Sequence, residues 1–598
     1  MNMKKQIGSQ LAKITEEIPV ERIEIDTQVQ GSAHGDYSTN IALVAYPKLK
    51  KKFKNPLELA TYLLKQLQKK VPEIEKIEVS APGFINFWLK DTALLKNLEE
   101  VIDKKEDYGK GERLKNLPDG KAGKKIMLEF ADPNPFKEFH IGHLRNISLG
   151  ESYARLMEFE GGEVFRVNYQ GDVGMHVAKA LYGLLQISNL PAGKAGLKSR
   201  AAGKAFGDAR QISNLEKKPI SERSKFLGES YALGSKMFDE DEKSQKEIKD
   251  LNIKIYQKDS SIKEIWEKGR QWSLLHFEEI YKRVGTHYKR YYFEGEVAQK
   301  GREIVLSHIK DGIFEKHKGA VVFRGDHTRV FVTSENYATY EAKDLALSKL
   351  KYQDFAYDQS IIITANEQNA YFKVVLDALG KVFPDLASKT THRSFGFVNL
   401  KEGKMSSRLG GAISAEWLLD MAKNKIKEKF RDLDEEILEK VAVGAVKYSM
   451  LKFSRTSDIL FSFEESISLE GNSGPYLQYT YARTQSVLRK VKSVILSKTK
   501  DLDSSATPQN DRISSEELLI LRLLIHFTEI VEEAEKNFAP NLLCNYLFEL
   551  SQKFNNFYQK HKILQSKNQE FRLALTSSVG QVLKTGLYLL GIETPEKM

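Results

Sequence analysis

The stretch from Ile126 to Asp172 limits the fold of this chain more than any other. Its sequence is IMLEFADPNPFKEFHIGHLRNISLGESYARLMEFEGGEVFRVNYQGD. An apolar run is followed by a Pro-broken loop, by apolar residues at helical spacing, and by a second strand-like run. Strand, loop, helix and strand in this order predict a βαβ unit, which is how a parallel nucleotide-binding sheet begins. Later runs, AVVF, TRVFVTS and SIIITAN, predict more strands.

The 598 residues divide into three predicted domains. Residues 1–110 contain HGDYSTNIAL and IEVSAPGFINFWL and predict a small α+β domain. Residues 120–415 hold the βαβ unit and predict a Rossmann-type parallel-sheet domain, and residues 416–598 have the apolar spacing of an all-α bundle. A low-complexity insertion at about 186–218 repeats QISNL and AGKA. It is either a tolerated surface loop or a basic RNA-binding arm, and its composition favours the loop.

Composition excludes several classes of protein. The single cysteine, Cys544, rules out a disulfide framework and a zinc site built from cysteines, and it fits a reducing compartment. No apolar run reaches the length of about 18 residues that a membrane span needs. The N-terminal MNMKKQIGSQLAKI lacks the apolar core of a signal peptide, so we expect a cytoplasmic protein. The net charge of +11 is compatible with a polyanionic partner and with plain solubility.

Two histidines stand where the predicted helix of the βαβ unit begins, in the motif HIGH at 140–143. Unpaired N–H groups and the positive end of the helix dipole attract phosphate to such a position. His140 and His143 lie on one face and can donate hydrogen bonds to a triphosphate. Gly142 has no side chain, which lets a flat adenine ring approach the backbone. A metal site is the alternative, but no third ligand of suitable spacing stands nearby.

The stretch GKMSSRLGG, at 403–411, predicts a second anion-binding loop. Lys404 supplies a point charge and Arg408 can fork onto phosphate oxygens. Ser406 and Ser407 add hydroxyl donors. The loop is not a Walker A loop, because Met405 occupies the position of the required Ser or Thr. Neither this loop nor HIGH is specific by itself.

HIGH and KMSS at the two ends of one α/β region together resemble the class I aminoacyl-tRNA synthetases. Further blocks are similar to the arginyl-tRNA synthetases in particular, and they cover nearly the whole chain apart from the insertion. These blocks are HGDYSTNIAL, EFADPNPFKEFHIGHLRN, NYQGDVGMHVAKALYG, TYEAKDLAL, ANEQNAYFKV, GKMSSR, GNSGPYLQYTYAR and LLGIETPEKM. The resemblance implies a ligase that activates L-arginine with ATP and Mg²⁺ to arginyl-adenylate and pyrophosphate, and then esterifies the 3′ end of its tRNA. It also implies a monomer, no zinc, and adenylate formation that needs tRNA.

The resemblance also assigns roles to residues of this chain. The implied catalytic residues are Lys137, His140, His143, Lys404, Ser406 and Ser407, and those implied to bind ATP are Gly142, His140, His143, Lys404 and Met405. The implied arginine-binding residues are Glu129, Asn134, Tyr340, Asp344 and Gln368. The implied anticodon-binding residues are Tyr476, Tyr479, Arg483, Tyr558 and Met598. The small N-terminal domain is implied to contact the outer corner of the tRNA.

The second lysine of the usual class I loop, KMSKS, is missing here, because Ser407 occupies its position. Arginyl-tRNA synthetases often carry a lysine just before HIGH instead, and Lys137 stands three residues ahead of His140. We therefore expect Lys137 to contact the transferring phosphates and Lys404 to hold the loop on pyrophosphate. An ordinary solvated lysine is the alternative for Lys137.

A planar guanidinium pairs best with carboxylates, so an arginine substrate requires an acidic residue. By the resemblance this residue is Asp344, with Tyr340 one helical turn earlier; a solvated aspartate on a helix surface is the ordinary alternative. Tyr476, Tyr479 and Arg483 have spacings of three and four and form one stripe. Such a stripe suits unstacked bases, although aromatic stripes more often belong to a bundle core.

Three other functions compete with this interpretation. A synthetase for another amino acid is disfavoured by TYEAKD and by the N-terminal domain. A paralogue that binds RNA without chemistry is disfavoured by HIGH, GKMSS and Asp344. A small nucleotidyltransferase would share the H-x-G-H pattern but would need no helical bundle of the anticodon-binding type.

Overall fold

The computed structural model describes residues 2–15, 26–32, 35–68, 70–115, 123–188, 215–401, 413–430, 433–491 and 513–598. Among these residues, a small α+β domain, a parallel-sheet domain and a helical domain follow one another along the chain. The predicted fold class, α/β with a Rossmann-type catalytic domain, a small N-terminal domain and a C-terminal all-α bundle, is therefore confirmed.

The N-terminal domain packs helices against an antiparallel sheet. Its described elements are α1 (Met3–Thr15), β1 (Asp26–Ser32), β2 (Gly35–Thr39), α2 (Ile41–Leu49), α3 (Pro56–Leu67), β3 (Ile74–Ser80), β4 (Phe84–Leu89) and α4 (Asp91–Lys104). The strands are ordered β1-β2-β4-β3. Ile85, Phe87 and Leu89 alternate along β4 and are buried, as a strand with one covered face requires.

The parallel-sheet domain follows after a short 3₁₀ turn at Lys105–Asp107. Its elements are β5 (Lys125–Glu129), α5 (Ile141–Phe159), β6 (Glu163–Gln170), α6 (Met175–Ser188), α7 (Ile220–Glu240), α8 (Glu242–Gln257), α9 (Ser260–Arg283), β7 (Arg290–Phe293), α10 (Glu294–Ser307), β8 (Glu315–His317), β9 (Ala320–Arg324), β10 (Thr328–Val332), α11 (Tyr340–Asp354), β11 (Gln359–Ala365), α12 (Asn369–Val382), α13 (Pro384–Lys389), β12 (Thr390–Phe395) and β13 (Val398–Leu400).

The central sheet has the strand order β12-β11-β5-β6-β7, and all neighbouring strands are parallel. The chain runs outwards from β5 through β6 and β7 and then returns to the other side of β5. The strand order therefore reverses between β5 and β11. In open parallel sheets, ligands bind at the carboxyl ends of the strands beside such a reversal. The βαβ unit predicted from the sequence is the centre of this arrangement.

Helices α7 to α9 form an insertion between β6 and β7 that packs on α6. The crossing of α6 and α7 is close because both helices have a glycine there. A Cβ at Gly183 would lie 1.9 Å from the Ser230 carbonyl oxygen, and one at Gly234 would lie 1.9 Å from the Lys179 carbonyl oxygen. Farther along the chain, β10, β9 and β8 form a small antiparallel sheet.

The C-terminal part is helical. Its described elements are α14 (Ala415–Lys429), α15 (Glu435–Leu451), β14 (Ile459–Phe461), α16 (Phe463–Ser466), α17 (Gly474–Arg489), α18 (Ser515–Lys536), α19 (Pro540–Lys560) and α20 (Gln569–Leu589). Strand β14 pairs in parallel with β13, so the chain after residue 415 contributes one strand next to the parallel-sheet domain. None of the helices in the described ranges has the length and apolar character that crossing a membrane requires.

The N-terminal domain docks on helix α18 of the C-terminal domain. The Tyr37 hydroxyl donates a hydrogen bond of 3.0 Å to Glu529, and Arg522 forms an ion pair of 2.8 Å with the buried Asp36. The two ends of the chain therefore lie side by side. The predicted tRNA contact of the N-terminal domain stays a prediction.

Candidate active site

The loop between β5 and α5 is held in a strained shape by hydrogen bonds at both ends. Ala131, Asp132 and Phe136 have φ values of 76°, 46° and 68°, in a region that residues other than glycine rarely adopt. The Asp132 carboxylate accepts a hydrogen bond of 2.8 Å from the Tyr169 N–H. The Phe136 N–H donates one of 2.9 Å to the Ser273 hydroxyl. The loop therefore enters helix α5 in a fixed direction.

His140 and His143 cap the start of helix α5 reciprocally. Nδ1 of His140 accepts a hydrogen bond of 3.2 Å from the Gly142 N–H, and the His140 N–H donates one of 3.0 Å to Nδ1 of His143. The two rings stack with their centroids 3.8 Å apart. Both Nδ1 atoms are acceptors, so the proton of each neutral ring is on Nε2.

Burial keeps both imidazoles uncharged at neutral pH. It lowers the pKa of His140 to about 4, and the positive charge of Lys137 acts in the same direction. Burial also lowers the pKa of His143 well below its usual range, with smaller effects of His140 and Lys137. Each ring can therefore donate one hydrogen bond from Nε2 at a helix start, a position that favours phosphate.

Lys137 lies close enough to the two histidines to affect their pKa values, as described above. Its ammonium lies 4.9 Å from the ring centroid of Tyr231, on helix α7, in a cation–π contact. The structure thus brings Lys137 into the neighbourhood of HIGH. Its contact with the transferring phosphates stays a prediction.

Asp344, on helix α11, is held by a tyrosine from helix α12. Its carboxylate accepts a hydrogen bond of 2.7 Å from the Tyr371 hydroxyl. The pKa of Asp344 is raised to about 7, chiefly by burial and also by the negative charges of Glu129 and Glu294, against the effect of the Tyr371 hydrogen bond. Repulsion among these carboxylates would be relieved by a bound cation.

Glu294 is a candidate that the sequence patterns missed. It is buried at the start of α10, and its Oε2 accepts a hydrogen bond of 2.6 Å from the Lys343 ammonium. The same ammonium donates a hydrogen bond of 3.1 Å to the Tyr256 hydroxyl. A Cβ at Gly171 would lie 2.6 Å from Asn134 Oδ1 and 2.9 Å from Glu294 Oε1. The side chains of Asn134 and Glu294 therefore both lie next to the Gly171 backbone. The only sequence feature that could have indicated Glu294 is its position as an acidic residue directly after the strand RYYF.

Glu129, at the end of β5, is paired with a lysine. Lys351 of helix α11 forms the ion pair, and both side chains are buried. Burial raises the pKa of the neighbouring Asp132 well above its usual range, and the charge of Glu129 raises it further. Carboxylates outnumber ammonium groups in this acidic pocket, whose charged residues are Glu129, Asp132, Glu294, Asp344, Lys343 and Lys351.

The other predicted arginine-binding residues lie in loops and at helix starts near the same edge of the sheet. Tyr340 begins α11 and is 52% exposed, with the Lys343 ammonium 5.0 Å from its ring centroid. Asn134 Oδ1 accepts a hydrogen bond of 2.9 Å from the Gly171 N–H. Gln368 ends the 3₁₀ turn that follows β11, directly before α12. The binding roles of these residues stay predictions.

The predicted phosphate-binding loop lies outside the described residues. This applies to Lys404, Met405, Ser406, Ser407 and Arg408. It applies as well to residues 189–214, the centre of the predicted insertion. Where the chain is described again after the loop, the Ile413 carbonyl accepts a hydrogen bond of 2.9 Å from the Ile141 N–H, within HIGH.

Four of the predicted anticodon-binding residues form a cluster shared by α17 and α19, namely Tyr476, Tyr479, Arg483 and Tyr558. The Arg483 guanidinium lies 4.8 Å from the ring centroid of Tyr479 and 4.9 Å from that of Tyr558. Arg483 donates a hydrogen bond of 2.5 Å to Asn555, whose amide donates one of 3.1 Å to the Tyr476 hydroxyl. Asn555 is a member that the sequence pattern missed, because it comes from another helix.

The C-terminal tail lies against α17. Gln478 and Arg489 donate hydrogen bonds of 2.7 and 3.0 Å to the carbonyls of Glu593 and Glu596. Met598, the last residue, is half-buried. In the part of the chain that is described, His, Cys, Asp and Glu side chains form no group of three that could hold a metal ion.

Three family models match consecutive parts of the chain. The Arginyl tRNA synthetase N terminal domain matches residues 1–89. The catalytic domain of tRNA synthetases class I (R) matches residues 112–191 and 204–463, and the DALR anticodon binding domain matches residues 477–598. The gap in the catalytic match falls within the predicted insertion.

Curated relatives and solved structures agree with these models. The arginine–tRNA ligase of Treponema denticola is 32% identical over 86% of this chain and 85% of its own length, and that of Phocaeicola vulgatus is 28% identical over 94% of both. The arginyl-tRNA synthetase structures from Plasmodium falciparum and Thermus thermophilus have TM-scores of 0.74 and 0.73. They cover 99% of this chain and 98% and 99% of their own, and at 23% identity they are evidence for the fold.

Proposed function

Because this chain belongs to the arginyl-tRNA synthetase family, we propose roles for the residues of its active site. The chain is an arginine–tRNA ligase, which activates arginine with ATP and joins it to tRNA. The observation that supports the residue roles best is the buried acidic pocket around Asp344. A planar guanidinium with five donors is the cation that suits such a group of carboxylates.

Asp344 and Glu294 bind the guanidinium of the substrate in this proposal. The Tyr371 hydrogen bond fixes the orientation of the Asp344 carboxylate, and Lys343 holds Glu294. The positive charge of the bound guanidinium offsets the repulsion between Asp344 and the neighbouring carboxylates. It therefore lowers the pKa of Asp344, and the carboxylate is ionised in the complex.

The other end of the arginine lies between Glu129 and Asn134. Glu129 accepts hydrogen bonds from the α-ammonium group. Asn134 donates from Nδ2 to the substrate carboxylate, because its Oδ1 is already engaged by the Gly171 N–H. Tyr340 and Gln368 complete the pocket at its two sides.

His140 and His143 bind ATP through their Nε2–H groups at the start of α5, and adenine lies against the backbone at Gly142. An oxygen of the arginine carboxylate attacks the α-phosphorus in line and forms a new O–P bond. The bond from the α-phosphorus to the oxygen that bridges to the β-phosphorus breaks, and pyrophosphate leaves. Fixed donors and cations stabilise the charge that spreads over the phosphate oxygens. Lys137 supplies one of these cations from the side of HIGH.

The segment GKMSS supplies the donors on the opposite side of the phosphates. Lys404 holds pyrophosphate, while Ser406, Ser407 and the backbone at Met405 contact ATP. A ribose hydroxyl at the 3′ end of the tRNA then attacks the carbonyl carbon of the adenylate, and AMP leaves. The arginine is thereby esterified to the tRNA.

Tyr479, Arg483 and Tyr558 form the surface that contacts the anticodon loop. Aromatic rings and a guanidinium plane provide stacking faces for unpaired bases. Tyr476 supports this surface through Asn555, and Met598 contributes from the C-terminal tail. The N-terminal domain contacts the outer corner of the tRNA.

Further parts of the proposal concern the state of the protein. ATP enters as its magnesium complex, with the metal carried mainly by phosphate oxygens, as is usual for Mg²⁺. Zinc has no role. The protein acts as a monomer in the cytoplasm, where the buried thiol of Cys544 stays reduced.

The test is charging of an arginine tRNA with three amino acids. Arginine should be esterified, while lysine and citrulline should not. Citrulline has the shape of arginine but an uncharged urea group, so it measures the contribution of charge in the pocket. Absence of charging with arginine would overturn the proposed function. Charging with citrulline at the rate of arginine would overturn the assigned role of the carboxylates.

A further inference from the structure

Gly171 and Asp172 directly follow strand β6, at the carboxyl edge of the central sheet, and groups from four other elements hold them. The Gly171 N–H donates a hydrogen bond of 2.9 Å to Asn134 Oδ1, in the loop before α5. The Gly171 carbonyl lies 2.8 Å from Nε2 of His176, on α6. A carbonyl oxygen only accepts, so Nε2 of His176 carries the proton and donates. Both polar groups of the Gly171 backbone are therefore engaged.

Asp172 is held from the other side, by helices α9 and α10, and is only 2% exposed. Its Oδ1 accepts a hydrogen bond of 2.9 Å from the Gly295 N–H, in the first turn of α10. Its carbonyl accepts one of 2.8 Å from the Trp266 indole, and Arg270 forms an ion pair of 3.4 Å with its carboxylate. Because Gly295 directly follows Glu294, Asp172 ties this segment to the start of the helix that carries Glu294.

Residues proposed to bind the two ends of arginine both lie against Gly171. A Cβ there would lie 2.6 Å from Asn134 Oδ1, 2.9 Å from Glu294 Oε1 and 3.1 Å from Cε1 of His176. All three contacts are with the ends of side chains, so the place of Gly171 determines where these side chains can lie. Asn134 is assigned to the substrate carboxylate and Glu294 to the guanidinium. The supports of this backbone segment therefore bear on both ends of the substrate.

The imidazole of His176 is uncharged at neutral pH. Its pKa is lowered to about 4, chiefly by burial and also by the positive charges of Lys137 and Lys343, against the effect of the Gly171 hydrogen bond. Proton transfer at neutral pH favours a group whose pKa lies near the operating pH, which this ring does not have. The hydrogen bond to the Gly171 carbonyl is therefore what the ring contributes.

We infer that His176 and Asp172 are positioning residues for the arginine substrate. His176 acts on Asn134, at the carboxylate end, through the Gly171 backbone that both side chains contact. Asp172 acts on Glu294, at the guanidinium end, through the first turn of α10. The inference rests on the proposed function, which assigns these two ends. A loosened support lowers the affinity for arginine and leaves ATP binding unchanged, because the histidines of HIGH are held by other hydrogen bonds.

The first test replaces His176 and measures pyrophosphate exchange with arginine and its tRNA. His176→Ala removes the donor to the Gly171 carbonyl, whereas in His176→Gln the side-chain amide can donate from nearly the same place as Nε2. Loss of one hydrogen bond changes a binding constant by up to about tenfold. We expect KM for arginine to rise about tenfold in His176→Ala and to stay within about twofold of wild type in His176→Gln. KM for ATP should be unchanged in both variants.

Agmatine separates the two ends of the substrate, because it keeps the guanidinium of arginine and lacks the carboxylate. Its inhibition constant against arginine should be unchanged in His176→Ala. In Asp172→Ala the Gly295 N–H loses its acceptor, so the agmatine constant and KM for arginine should both rise about tenfold. Asp172→Asn keeps an oxygen acceptor at this position and should restore most of the affinity for both ligands.

Two matched controls remove similar hydrogen bonds elsewhere. His308, which follows the last residue of α10, has a ring nitrogen 2.8 Å from the Ile304 carbonyl. Asp241, at the start of α8, accepts a hydrogen bond of 2.9 Å from the Ser244 N–H. His308→Ala and Asp241→Ala should lower the melting temperature without changing KM for arginine.

Gly171→Ala provides a second route if the alanine variants of His176 and Asp172 do not fold. The added methyl group would lie 2.6 Å from Asn134 Oδ1 and 2.9 Å from Glu294 Oε1, so these two side chains have to move. We expect KM for arginine to rise about tenfold or more, with KM for ATP unchanged.

Three results would overturn the inference. The first is an equal rise of KM for arginine and KM for ATP in His176→Ala without rescue by His176→Gln, as a general loss of structure would produce. The second is a wild-type KM for arginine in the alanine variants of His176, Asp172 and Gly171. The third is an equal change of the agmatine constant in His176→Ala and Asp172→Ala, which would contradict their assignment to different ends. A wild-type protein that shows no exchange with arginine would instead remove the proposed function, and the inference with it.

Discussion

The Tyr371 hydroxyl donates a hydrogen bond of 2.7 Å to Asp344 in the acidic pocket at the carboxyl ends of the central strands. The bond joins helix α12 to helix α11 and fixes the direction of the carboxylate. Without a bound cation, Asp344 has a raised pKa of about 7 because it is buried beside Glu129 and Glu294. The pocket is therefore prepared for a ligand that brings positive charge.

Replacement of the central carboxylate should remove arginine binding selectively. In Asp344→Asn the shape is kept but the charge is lost, and removal of one partner of a buried ion pair costs about 3–5 kcal/mol. We expect KM for arginine to rise about 10²- to 10³-fold, with KM for ATP nearly unchanged. Steady-state pyrophosphate exchange measures both values. An unchanged KM for arginine would contradict the assignment.

Arginine affinity should fall at acid pH. The free carboxylate of Asp344 has a pKa of about 7, and the guanidinium binds only the ionised form. Above pH 8 the group is ionised and the Kd should be constant; below pH 7 the Kd should rise about tenfold per pH unit, and binding should release a proton. Calorimetry between pH 6 and pH 8.5 tests this, and Asp344→Asn is the control without this dependence.

Tyr371→Phe should shift that pH profile to higher pH. The Tyr371 hydrogen bond stabilises the ionised form of Asp344 and lowers its pKa, so its removal raises the pKa further. We expect a KM for arginine about tenfold higher at pH 7, with a difference that shrinks as the pH rises above 8. A defect of equal size at all pH values would show that Tyr371 acts in another way.

His143→Asn should separate the structural and the chemical roles of HIGH. The asparagine oxygen can still accept the hydrogen bond from the His140 N–H, so the helix cap and the melting temperature should be kept. The donor at Nε2 is lost, and loss of one such donor reduces kcat by about 10²- to 10³-fold. Because both imidazoles titrate well below neutral pH, kcat at saturating arginine should show no histidine titration between pH 6 and pH 8, whereas KM for arginine follows Asp344 there.

Lys137→Ala should slow adenylate formation while KM for arginine stays unchanged. Lys137 lies near both histidines, and we expect its ammonium to stabilise charge on the transferring phosphates. Exchange kinetics should show a loss in kcat of about 100-fold or more. Lys243→Ala, at an exposed lysine on α8, is the control and should have wild-type kinetics. Wild-type exchange by Lys137→Ala would exclude its catalytic role.

The strand, loop and helix around HIGH could be predicted because the sequence patterns that indicate them each lie within a few neighbouring residues. The apolar run of β5, the break at DPNP and the helical spacing after His140 each lie within one short stretch. The sheet then places Glu129, which the resemblance implies to bind arginine, at the carboxyl end of β5.

The remainder of the pocket depends on the strand order, which no local pattern contains. Glu294 follows β7, Lys351 ends α11 and Tyr371 begins α12, and they meet only because the chain returns to the other side of β5. The cluster of predicted anticodon-binding residues has the same limit, because the sequence shows the stripe on α17 but not its partner Asn555, which comes from α19.

Pyrophosphate exchange with each standard amino acid, with and without an arginine tRNA, tests the central claim most directly. We expect exchange with arginine alone among the amino acids, and only when the tRNA is present. Exchange with arginine without tRNA would contradict the predicted tRNA dependence and leave the pocket assignment intact. Exchange driven by another amino acid, or none with arginine and tRNA from folded protein, would contradict the account.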